Sequence, residues 1–336
     1  MNRVATIVLN WNGIDDTLSC LDSLREQSYS NQQIVVIDNG SVDNSADILK
    51  SYKATHSDNI EVIYNKHNLG FAGGVNTGIR WALENNFDAI ALFNNDARAD
   101  SKWLEKLMAA LFSNEDAGIA TGLLLHYDGK TIDSSGDWYS SWGLPFPRNR
   151  NDQAQNAPPD GLVFGASGGA TVYKAAVFLE IGLFDEDFFA YYEDADISFR
   201  SQLAGWKTVY TSLAIAYHKQ GASSEKIPGF TVLQTFKNLP WLFIKNVPRE
   251  LLVSIAIRFV FAYLLMLANA IKNGSGMHAL RGVVQALKLF PKKIRERRLI
   301  QKSKKVSSEY IHDLLWKDLP PDQSGIRKLR NFFLHR

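Results

Sequence analysis

Two short acidic segments of the sequence contain residue types that could carry out chemistry. Residues 94–96 read Asn-Asn-Asp, and residues 191–196 read Tyr-Tyr-Glu-Asp-Ala-Asp. A carboxylate such as Asp96 can bind Mg²⁺ or Mn²⁺, which bridges phosphate oxygens and stabilises a leaving diphosphate. A carboxylate such as Asp194, next to tyrosines in a partly apolar setting, can be tuned to accept a proton. Each segment also has a simpler interpretation, an Asx turn for the first and the acidic first turn of a helix for the second.

Polar residues follow four predicted strands in the first part of the chain. Short β-branched runs predict strands at Ala5–Leu9, Ile34–Asp38, Glu61–Tyr64, Ala89–Phe93 and Gly118–Leu124. The polar groups that follow the first four strands are residues 10–12, 38–41, 65–68 and 94–96. One such group alone is typical of an ordinary turn. Four at the carboxyl ends of neighbouring strands indicate a binding site, because open α/β sheets bind their ligands there.

A glycine-rich segment and a late histidine add to this edge. Residues 68–76 read Asn-Leu-Gly-Phe-Ala-Gly-Gly-Val-Asn and lead from the third strand into a helix, whose N-terminus attracts phosphate. This is not the dinucleotide-binding pattern, which would follow the first strand, so a Rossmann dehydrogenase is excluded. His218 follows a further predicted strand near Tyr210. A lone histidine is more often packed or exposed, but a neutral imidazole is also a common metal ligand.

The strands alternate with helical patterns, which predicts an α/β fold with a parallel sheet. Helices are predicted near Asp15–Gln27, Ser45–Lys53, Gly73–Asn85 and Lys102–Ser113. Residues 140–161 contain four prolines and no periodicity, and they are predicted to form a long loop. Structure is predicted to resume at Gly165–Tyr173, and the α/β body to end near residues 218–226.

Charge is distributed unevenly along the 336 residues. Residues 1–250 hold 20 Lys and Arg against 30 Asp and Glu, whereas residues 251–336 hold 17 against 5. A basic segment favours anionic partners. No nucleic-acid motif accompanies this one and its neighbours are apolar, so we expect a membrane surface and no nucleic acid. The 46% hydrophobic content supports a folded core, and a single cysteine, Cys20, excludes an intrachain disulfide framework.

The C-terminal region combines an apolar stretch with a basic amphipathic one. Leu251–Ile271 contains one charged residue, Arg258, and has about the ~20 residues that crossing a bilayer requires. Basic residues flank it on both sides, which argues against a span. Between Lys288 and Lys305 there are nine basic residues and one acidic residue. We therefore predict that residues 226–336 form a helical region that lies in the interface of an anionic membrane, with a buried helical hairpin as the alternative.

Taken together, these segments resemble the inverting family 2 glycosyltransferases with the GT-A fold. The similarity extends from Val4 to about Lys219 and follows the order of the family's motifs. Those motifs are Ile-Val-Leu-Asn-Trp-Asn-Gly at 7–13, Val-Ile-Asp-Asn-Gly-Ser-Val-Asp at 36–43, Asn-Leu-Gly-Phe-Ala-Gly-Gly at 68–74, Phe-Asn-Asn-Asp at 93–96 and Glu-Asp-Ala-Asp-Ile-Ser-Phe-Arg at 193–200. The resemblance implies a mixed, mainly parallel sheet flanked by helices, a nucleotide-sugar donor, and Mn²⁺ or Mg²⁺ as cofactor.

The resemblance also implies roles for individual residues. Asp194 would be the catalytic base, with Glu193 as its neighbour or as a contact to the acceptor. Asp96 and His218 would bind the metal, and Asp38 would contact the nucleobase. The other residues implied in the nucleotide-sugar site, with Asp96, are Asn10, Asn12, Asn68, Asn76, Asn94 and Asn95. Asn94 departs from the Asp that usually opens this motif, and an amide contributes less than a carboxylate to cation binding.

Within the family, the Asn-Trp-Asn-Gly opening, the Asn-Asn-Asp turn and the segment Leu-Pro-Trp-Leu-Phe-Ile-Lys-Asn-Val-Pro look most like bacterial rhamnosyltransferases. This implies dTDP-L-rhamnose as donor and a polyprenyl-diphosphate-linked saccharide as acceptor, in O-antigen or cell-wall polysaccharide assembly at the cytoplasmic face of the membrane. The alternatives are a UDP-galactofuranose or UDP-hexose donor, or a non-catalytic membrane-bound member. The implied catalytic domain is 1–225, with a donor half at 1–125 and an acceptor half at 160–225, before the helical region at 226–336.

Overall fold

The computed structural model describes residues 1–56, 59–219 and 227–321. Its strands are β1 (Val4–Asn10), β2 (Gln32–Asp38), β3 (Ile60–Tyr64), β4 (Ala89–Asn94), β5 (Ala97–Ala99), β6 (Ala117–His126), β7 (Ile132–Ser134), β8 (Asp137–Tyr139), β9 (Pro145–Pro147), β10 (Gly161–Val163), β11 (Ala170–Lys174) and β12 (Lys207–His218). Its helices are α1 (Ile14–Arg25), α2 (Ser45–Thr55), α3 (Gly70–Glu84), α4 (Trp103–Phe112), α5 (Ala175–Ile181), α6 (Glu193–Leu203), α7 (Phe230–Asn246), α8 (Arg249–Lys272), α9 (Gly276–Lys302) and α10 (Ser308–Leu314).

The predicted elements of the first part of the chain are confirmed. The five predicted strands correspond to β1, β2, β3, β4 and β6, and the four predicted helices correspond to α1–α4. Leu104, Leu107 and Leu111 of α4 are all fully buried. Residues three or four positions apart share one face of a helix, so this spacing directs all three side chains into the core.

The central sheet is mixed and mainly parallel, as the resemblance implied. Its strand order is β10-β12-β6-β11-β4-β1-β2-β3. The strands β3, β2, β1, β4, β6 and β12 run in one direction, and β11 lies antiparallel between β4 and β6. Because the parallel strands end at the same edge, the polar residues that follow them meet there.

Both faces of the sheet are buried beneath helices. Along β1, Val4 and Val8 pack into a core with α1, α2 and α4, whereas Ala5 and Ile7 pack into a core with α3. Successive side chains of a strand point to opposite faces, so one continuous apolar run supplies both cores. This explains why the strands read as apolar runs without alternation.

The prediction of a long loop at residues 140–161 is wrong in part. The segment contains β9 and part of a β8–β9 hairpin, and it ends in β10. Backbone hydrogen bonds tie it to the preceding strands: the N–H of Arg148 donates to the carbonyl of Gly136 at 2.8 Å, and the N–H of Asn151 donates to that of Ile132 at 2.8 Å. These bonds are long-range, which is why no local periodicity announced them.

The C-terminal helices share a core with α6 and the segment that precedes it. Leu239, Trp241 and Leu242 of α7 pack in one cluster with Phe188 and Phe199. Helix α7 also packs against α6 and against α9. The region after residue 226 is helical as predicted, up to residue 321, and α7 is an integral support of the α/β body. Most of the predicted end of the body, residues 220–226, lies outside the described residues.

Part of the basic run of α9 contacts acidic residues and backbone carbonyls of the protein itself. Lys293 is fully buried, with its Nζ 2.7 Å from Asp185 and 2.6 Å from Asp187. Lys292 pairs with Asp187 at 2.6 Å, and Nη1 of Arg297 donates to two backbone carbonyls at 2.6 and 2.7 Å. These cations neutralise the acidic segment 185–196 or cap backbone groups instead. The exposed basic residues of α9 that have no partner among the described residues are Arg281, Lys288, Arg295, Arg298 and Lys302.

Candidate active site

A cleft of about 880 Å³ opens at the edge where the parallel strands end. Ligand sites for small molecules typically have volumes of about 300–1,000 Å³. The residues predicted for the site that line the cleft are Asn68, Asn94, Asn95, Asp96, Glu193, Asp194 and His218. Aromatic side chains also line the cleft, and those from the segment before α6 and from α7 are Phe189, Tyr191, Tyr192 and Phe230. The fold therefore brings the two acidic segments and the late histidine into one cavity.

The turn after β4 and the end of β12 bring Asp96 and His218 together. Nε2 of His218 lies 3.1 Å from Oδ1 of Asp96, and Nδ1 lies 2.8 Å from Oδ2 of the buried Asp133. Burial lowers the pKa of His218, but the hydrogen bonds with Asp133 and Asp96 outweigh it and raise the pKa to about 9. The side-chain amide of Asn94 lies 3.2 Å from the same Nε2.

Glu193 and Asp194 begin α6 and occupy different environments. Asp194 accepts the backbone N–H of Ala195 at 2.8 Å and that of Gly168 at 3.2 Å. Burial raises the pKa of Asp194, although these N–H donors oppose the shift. Glu193 is 6% exposed, and its Oε2 has no hydrogen-bond partner within the described part of the chain. Burial and then the charge of Asp194 raise the pKa of Glu193 well above its usual value, so Asp194 is the member of the pair that ionises more readily.

The backbone that leads into these carboxylates is strained, and contacts from α7 hold it in place. Phe189, Tyr191 and Tyr192 have positive φ angles of 64°, 68° and 72°. This region is costly for residues other than glycine and persists where surrounding contacts enforce it. The side-chain amide of the buried Asn238 supplies such contacts, donating to three carbonyls of residues 188–191 at 2.8 to 3.0 Å. Helix α7 thus fixes the position of this turn, residues 188–192, which leads into Glu193 and Asp194.

Asp196, the third carboxylate of the motif, faces away from the cleft. Its Oδ2 accepts from Nε of Arg200 at 2.8 Å, and its Oδ1 lies 2.9 Å from Nζ of Lys245 and 2.8 Å from Nδ2 of Asn246. Its role is therefore to anchor α6 to α7.

Three residues predicted to bind the nucleotide form hydrogen bonds between the loops after β1 and β2. Nδ2 of the buried Asn10 donates to Oδ1 of Asp38 at 2.9 Å, and the hydroxyl of Ser41 donates to the same oxygen at 2.6 Å. Oδ1 of Asn12 accepts the N–H of Val42 at 2.9 Å. Among the described residues, these side chains lie beside the cleft rather than in its lining. Their contacts to a nucleotide stay a prediction.

Asn76 lies apart from the other residues predicted for the site. It is buried on α3, where its Nδ2 donates to the carbonyl of Phe184 at 2.9 Å and its Oδ1 accepts the N–H of Phe184 at 3.1 Å. These bonds hold Phe184, at the start of the segment that leads to the turn at residues 188–192. A contact between Asn76 and the donor stays a prediction.

Three charged residues at the site were missed by the sequence interpretation. Asp133 lies on β7 and joins His218 to Arg150, whose Nη2 is 2.8 Å from Oδ1 of Asp133. Asp137 lies on β8 and lines the cleft, and burial followed by the charge of Asp194 raises its pKa to about 8. Strands of three residues are too short to show a period, and Arg150 lay in the predicted loop, so no local pattern indicated these residues.

A second group of carboxylates comes from the segment between α5 and α6 and from α9. Oxygens of Asp185, Asp187 and Glu296 lie close enough together to hold an ion. However, Nζ of Lys293 lies 2.7, 2.6 and 3.0 Å from an oxygen of each. Because the ammonium groups of Lys245, Lys292 and Lys293 already contact these carboxylates, we interpret them as an ion-pair network. A metal site at Asp96 and His218 stays a prediction.

The sequence of residues 6–182, more than half of the chain, matches the model of glycosyl transferase family 2. This chain belongs to that family. The match includes the glycine-rich segment and the Asn-Asn-Asp turn, and it ends shortly before the turn at residues 188–192 and α6. The resemblance inferred from the motifs is thereby confirmed.

Two relatives and one solved structure illustrate the similarity. The chain is 23% identical over 244 residues to a low-salt glycan biosynthesis hexosyltransferase of Haloferax volcanii, covering 71% of this chain and 74% of the relative. It is 27% identical over 216 residues to the N-acetylglucosaminyl-diphospho-decaprenol L-rhamnosyltransferase of Mycobacterium tuberculosis, covering 58% and 69%. A mannosyltransferase from Pyrobaculum calidifontis, solved in complex with GDP-Man and Mn²⁺, superposes with a TM-score of 0.53 at 15% identity, covering 90% of this chain and 86% of that one. This last similarity shows that the family 2 chain has the GT-A fold.

Proposed function

We propose that this family 2 glycosyltransferase transfers a sugar, with inversion of the anomeric centre, from a nucleotide-sugar donor to a lipid-linked saccharide. The observation that carries the proposal is that the Asp96–His218 pair and the anchored carboxylate of Asp194 open into one cleft. The pair offers ligands for a metal that binds a diphosphate, and Asp194 offers a proton acceptor. In an inverting transfer from a nucleoside diphosphate sugar, such a metal would stabilise the leaving diphosphate and such a base would activate the acceptor hydroxyl.

The donor set of Asp96 and His218 fits Mn²⁺ or Mg²⁺. A carboxylate oxygen and an imidazole nitrogen lie 3.1 Å apart, and the other ring nitrogen is held by Asp133 at 2.8 Å. Histidines that ligate metals usually donate their second N–H to a carboxylate, which fixes the tautomer and the ring orientation. When bound, the metal would neutralise charge that develops on the leaving nucleoside diphosphate. His218 must release its proton to become a ligand, so its affinity for the metal would increase as pH rises.

Asp194 would act as the general base. Two backbone N–H groups fix the orientation of its carboxylate in the lining of the cleft. It would accept the proton of the acceptor hydroxyl while that oxygen attacks the anomeric carbon from the face opposite the diphosphate. A single displacement of this kind inverts the anomeric centre. Glu193, which holds its proton more firmly, would donate a hydrogen bond to the acceptor sugar.

The relatives support two sugars for the donor. The Mycobacterium tuberculosis relative is an L-rhamnosyltransferase named for an N-acetylglucosaminyl-diphospho-decaprenol. It supports dTDP-L-rhamnose as donor and a polyprenyl-diphosphate-linked saccharide as acceptor here, in O-antigen or cell-wall polysaccharide assembly. The Haloferax volcanii relative is a hexosyltransferase, which supports a donor that carries another hexose.

A panel of sugar nucleotides tests this proposal. Hydrolysis of dTDP-L-rhamnose, UDP-galactofuranose and UDP-hexoses by the purified protein would be measured with Mn²⁺, with Mg²⁺ and with a chelator. We expect turnover of dTDP-L-rhamnose that the chelator abolishes and either metal restores. If only a UDP-sugar is turned over, that sugar nucleotide replaces dTDP-L-rhamnose as the assigned donor, and the proposed glycosyltransferase function stands. Turnover that the chelator does not reduce would contradict the proposed metal site. If no sugar nucleotide is bound or turned over, the proposed glycosyltransferase activity is wrong.

Membrane attachment is supported by the exposed apolar faces of α8 and α9. Helix α8 is long and apolar enough to cross a membrane, and only 17% of its most apolar part is buried. Its exposed apolar side chains at a helical spacing are Val253, Ile257, Val260 and Leu264, and those of α9 are Met277, Leu280, Val284 and Leu287. We propose that these faces enter the cytoplasmic leaflet as a monotopic anchor. We likewise propose the division into a catalytic domain at 1–225 and a membrane-associating region at 226–336, with α7 joining the two.

A further inference from the structure

The cleft contains more acidic than basic side chains. Asp96, Asp137, Glu193 and Asp194 line it, whereas Arg150 is the single Lys or Arg among the described residues that do so. A diphosphate brings about two further negative charges into this cleft. A metal at Asp96 would offset part of that charge, and the guanidinium of Arg150 would offset a further part.

Arg150 is held in place while keeping donors free. Its Nη2 lies 2.8 Å from Oδ1 of Asp133, and its Nε donates to the backbone carbonyl of Asp133 at 3.0 Å. The side chain of Asp133 is 2% exposed and that of Arg150 is 45% exposed. Nη1 of Arg150 makes no hydrogen bond to any described residue. A planar guanidinium fixed on one side and free on the other suits bidentate recognition of phosphate oxygens.

Asp133 connects this guanidinium to the metal pair. Its Oδ1 contacts Arg150 and its Oδ2 lies 2.8 Å from Nδ1 of His218, so one buried carboxylate positions both groups. Arg150 is also close enough to Asp194 for its charge to lower the pKa of that carboxyl. Arg150 thus lines the same cleft as Asp96, His218 and Asp194, where the diphosphate of a bound donor would be found.

We propose that Arg150 binds the diphosphate of the nucleotide-sugar donor, and that Asp133 is the positioning residue that aligns Arg150 with His218. This inference rests on the proposed function, because it assigns the same cleft to the same donor. The lipid-linked acceptor also contains a diphosphate. The connection to His218 through Asp133 favours the diphosphate of the donor.

Nucleotide binding without turnover tests the proposal. Titration calorimetry with Mn²⁺ would compare dTDP, UDP and GDP with the corresponding monophosphates. Loss of a charge-assisted bidentate contact should weaken binding of the preferred diphosphate by about 10- to 100-fold in Arg150→Ala, with a change of less than about threefold for the monophosphate. Arg98→Ala is the matched control, since it removes the same charge from an exposed side chain that stacks on Tyr217, 4.3 Å from the ring centre, outside the lining of the cleft.

The outcomes separate this inference from the proposed function. A wild type that binds none of the three diphosphates with Mn²⁺ would reject the proposed function. Equal diphosphate affinity in Arg150→Ala and wild type would overturn the inference, even if the KM for the lipid acceptor increased. Asp133→Asn keeps the side-chain volume and should weaken diphosphate binding more than Arg150→Ala, because it releases both Arg150 and His218. If a folded Asp133→Asn variant binds the diphosphate as tightly as wild type does, Asp133 is not a positioning residue.

Discussion

Two carboxylates of the same helical turn are stabilised by different kinds of group. Asp194 accepts two backbone N–H groups, whereas Asp196 contacts Arg200 and Lys245. Burial raises the pKa of both carboxyls, but for Asp196 the charges of Lys245 and Arg200 outweigh it, so its pKa is lowered. The carboxylate proposed to accept a proton thus has no cation in contact among the described residues, whereas two cations lower the pKa of Asp196.

This difference predicts that Asp194→Asn lowers turnover severely and leaves the fold intact. The amide has the same shape but cannot accept the proton, and a general base typically contributes about 10²–10⁴-fold in rate. Turnover with saturating donor and acceptor would be measured, with nucleoside diphosphate affinity and melting temperature as controls for binding and folding. Near wild-type turnover in a folded variant would reject Asp194 as the base, and Glu193 would then be the residue to replace.

At the scale of elements, α7 and α9 hold the segment between α5 and α6 by buried charges. Lys245 of α7 and Lys293 of α9 are both almost fully buried, and both contact Asp185. Burial raises the pKa of Asp185, but the charges of Lys245 and Lys293 outweigh it and hold the pKa well below the usual range. Removing one partner of such a group leaves an unpaired buried charge, which costs more than the pair itself contributes.

We therefore predict that Lys293→Met destabilises the protein by about 3–5 kcal/mol at neutral pH. The methionine keeps the length of the stem, so the lost charge dominates the effect. A depressed carboxyl pKa contributes stability above about pH 4, and this contribution is lost as pH falls. The gap in unfolding free energy between wild type and variant should therefore narrow below about pH 4, when Asp185 and Asp187 take up protons. Denaturant unfolding at several pH values measures this gap.

The matched control for this prediction is Arg295→Met, two residues further along α9. Arg295 is exposed and has no partner among the described residues, so the free energy of unfolding should change by less than about 0.5 kcal/mol. If Lys293→Met lowers the free energy of unfolding no more than this control does, the buried ion-pair network makes no net contribution to stability. A gap that stays constant down to pH 2 would instead assign the loss to packing.

At the scale of the whole molecule, the surface proposed to bind the membrane is mainly apolar, with fewer free basic side chains. The apolar stripe of α8 is exposed, and α8 packs on α9. Much of the basic run that suggested electrostatic binding is occupied by ion pairs within the protein. Insertion of α8 and α9 side chains should therefore dominate binding, and the free cations of α9 should add a component that salt weakens.

Ile257→Asp combined with Leu264→Asp should release the protein from liposomes. Ile257 is 70% exposed and Leu264 is 56% exposed, so neither charge enters the core. Each apolar side chain contributes about 1.5–3 kcal/mol on burial, so the pair should weaken partitioning by ~100-fold or more. Co-sedimentation would measure it, with hydrolysis of soluble donor unchanged and transfer to a lipid-linked acceptor slowed.

The comparison for the membrane prediction is Arg295→Gln with Arg298→Gln. It should reduce binding to anionic liposomes only, and only at low salt. Undiminished binding by the aspartate variant would reject the apolar anchor. Protease protection that places Lys305 and the catalytic domain on opposite faces would replace the monotopic arrangement with a span.

Sequence alone determined the elements of about the first 125 residues and the order of the motifs. Apolar runs of strand length and leucines at helical spacing predicted β1–β4 and α1–α4, because both periodicities are local properties of the chain. The same locality indicated that polar turns follow the strands, among them the turn that contains Asp96. Residue type singled out Asp194 in the acidic segment and His218 near the end of a later strand. Since parallel strands end at one edge, the sequence also implied that these turns lie close together.

Only the tertiary structure decided which charges act on one another. Asp133 meets His218 and Arg150 across 85 and 17 residues, and Lys293 meets Asp185 across 108. Such pairs leave no periodic signal, because they depend on strand order and helix packing rather than on neighbours in the chain. For the same reason, the orientation of Asp196 away from the cleft and the burial of part of the basic run could not be predicted. A side chain's charge is set by its type, but its role depends on which distant groups the fold places beside it.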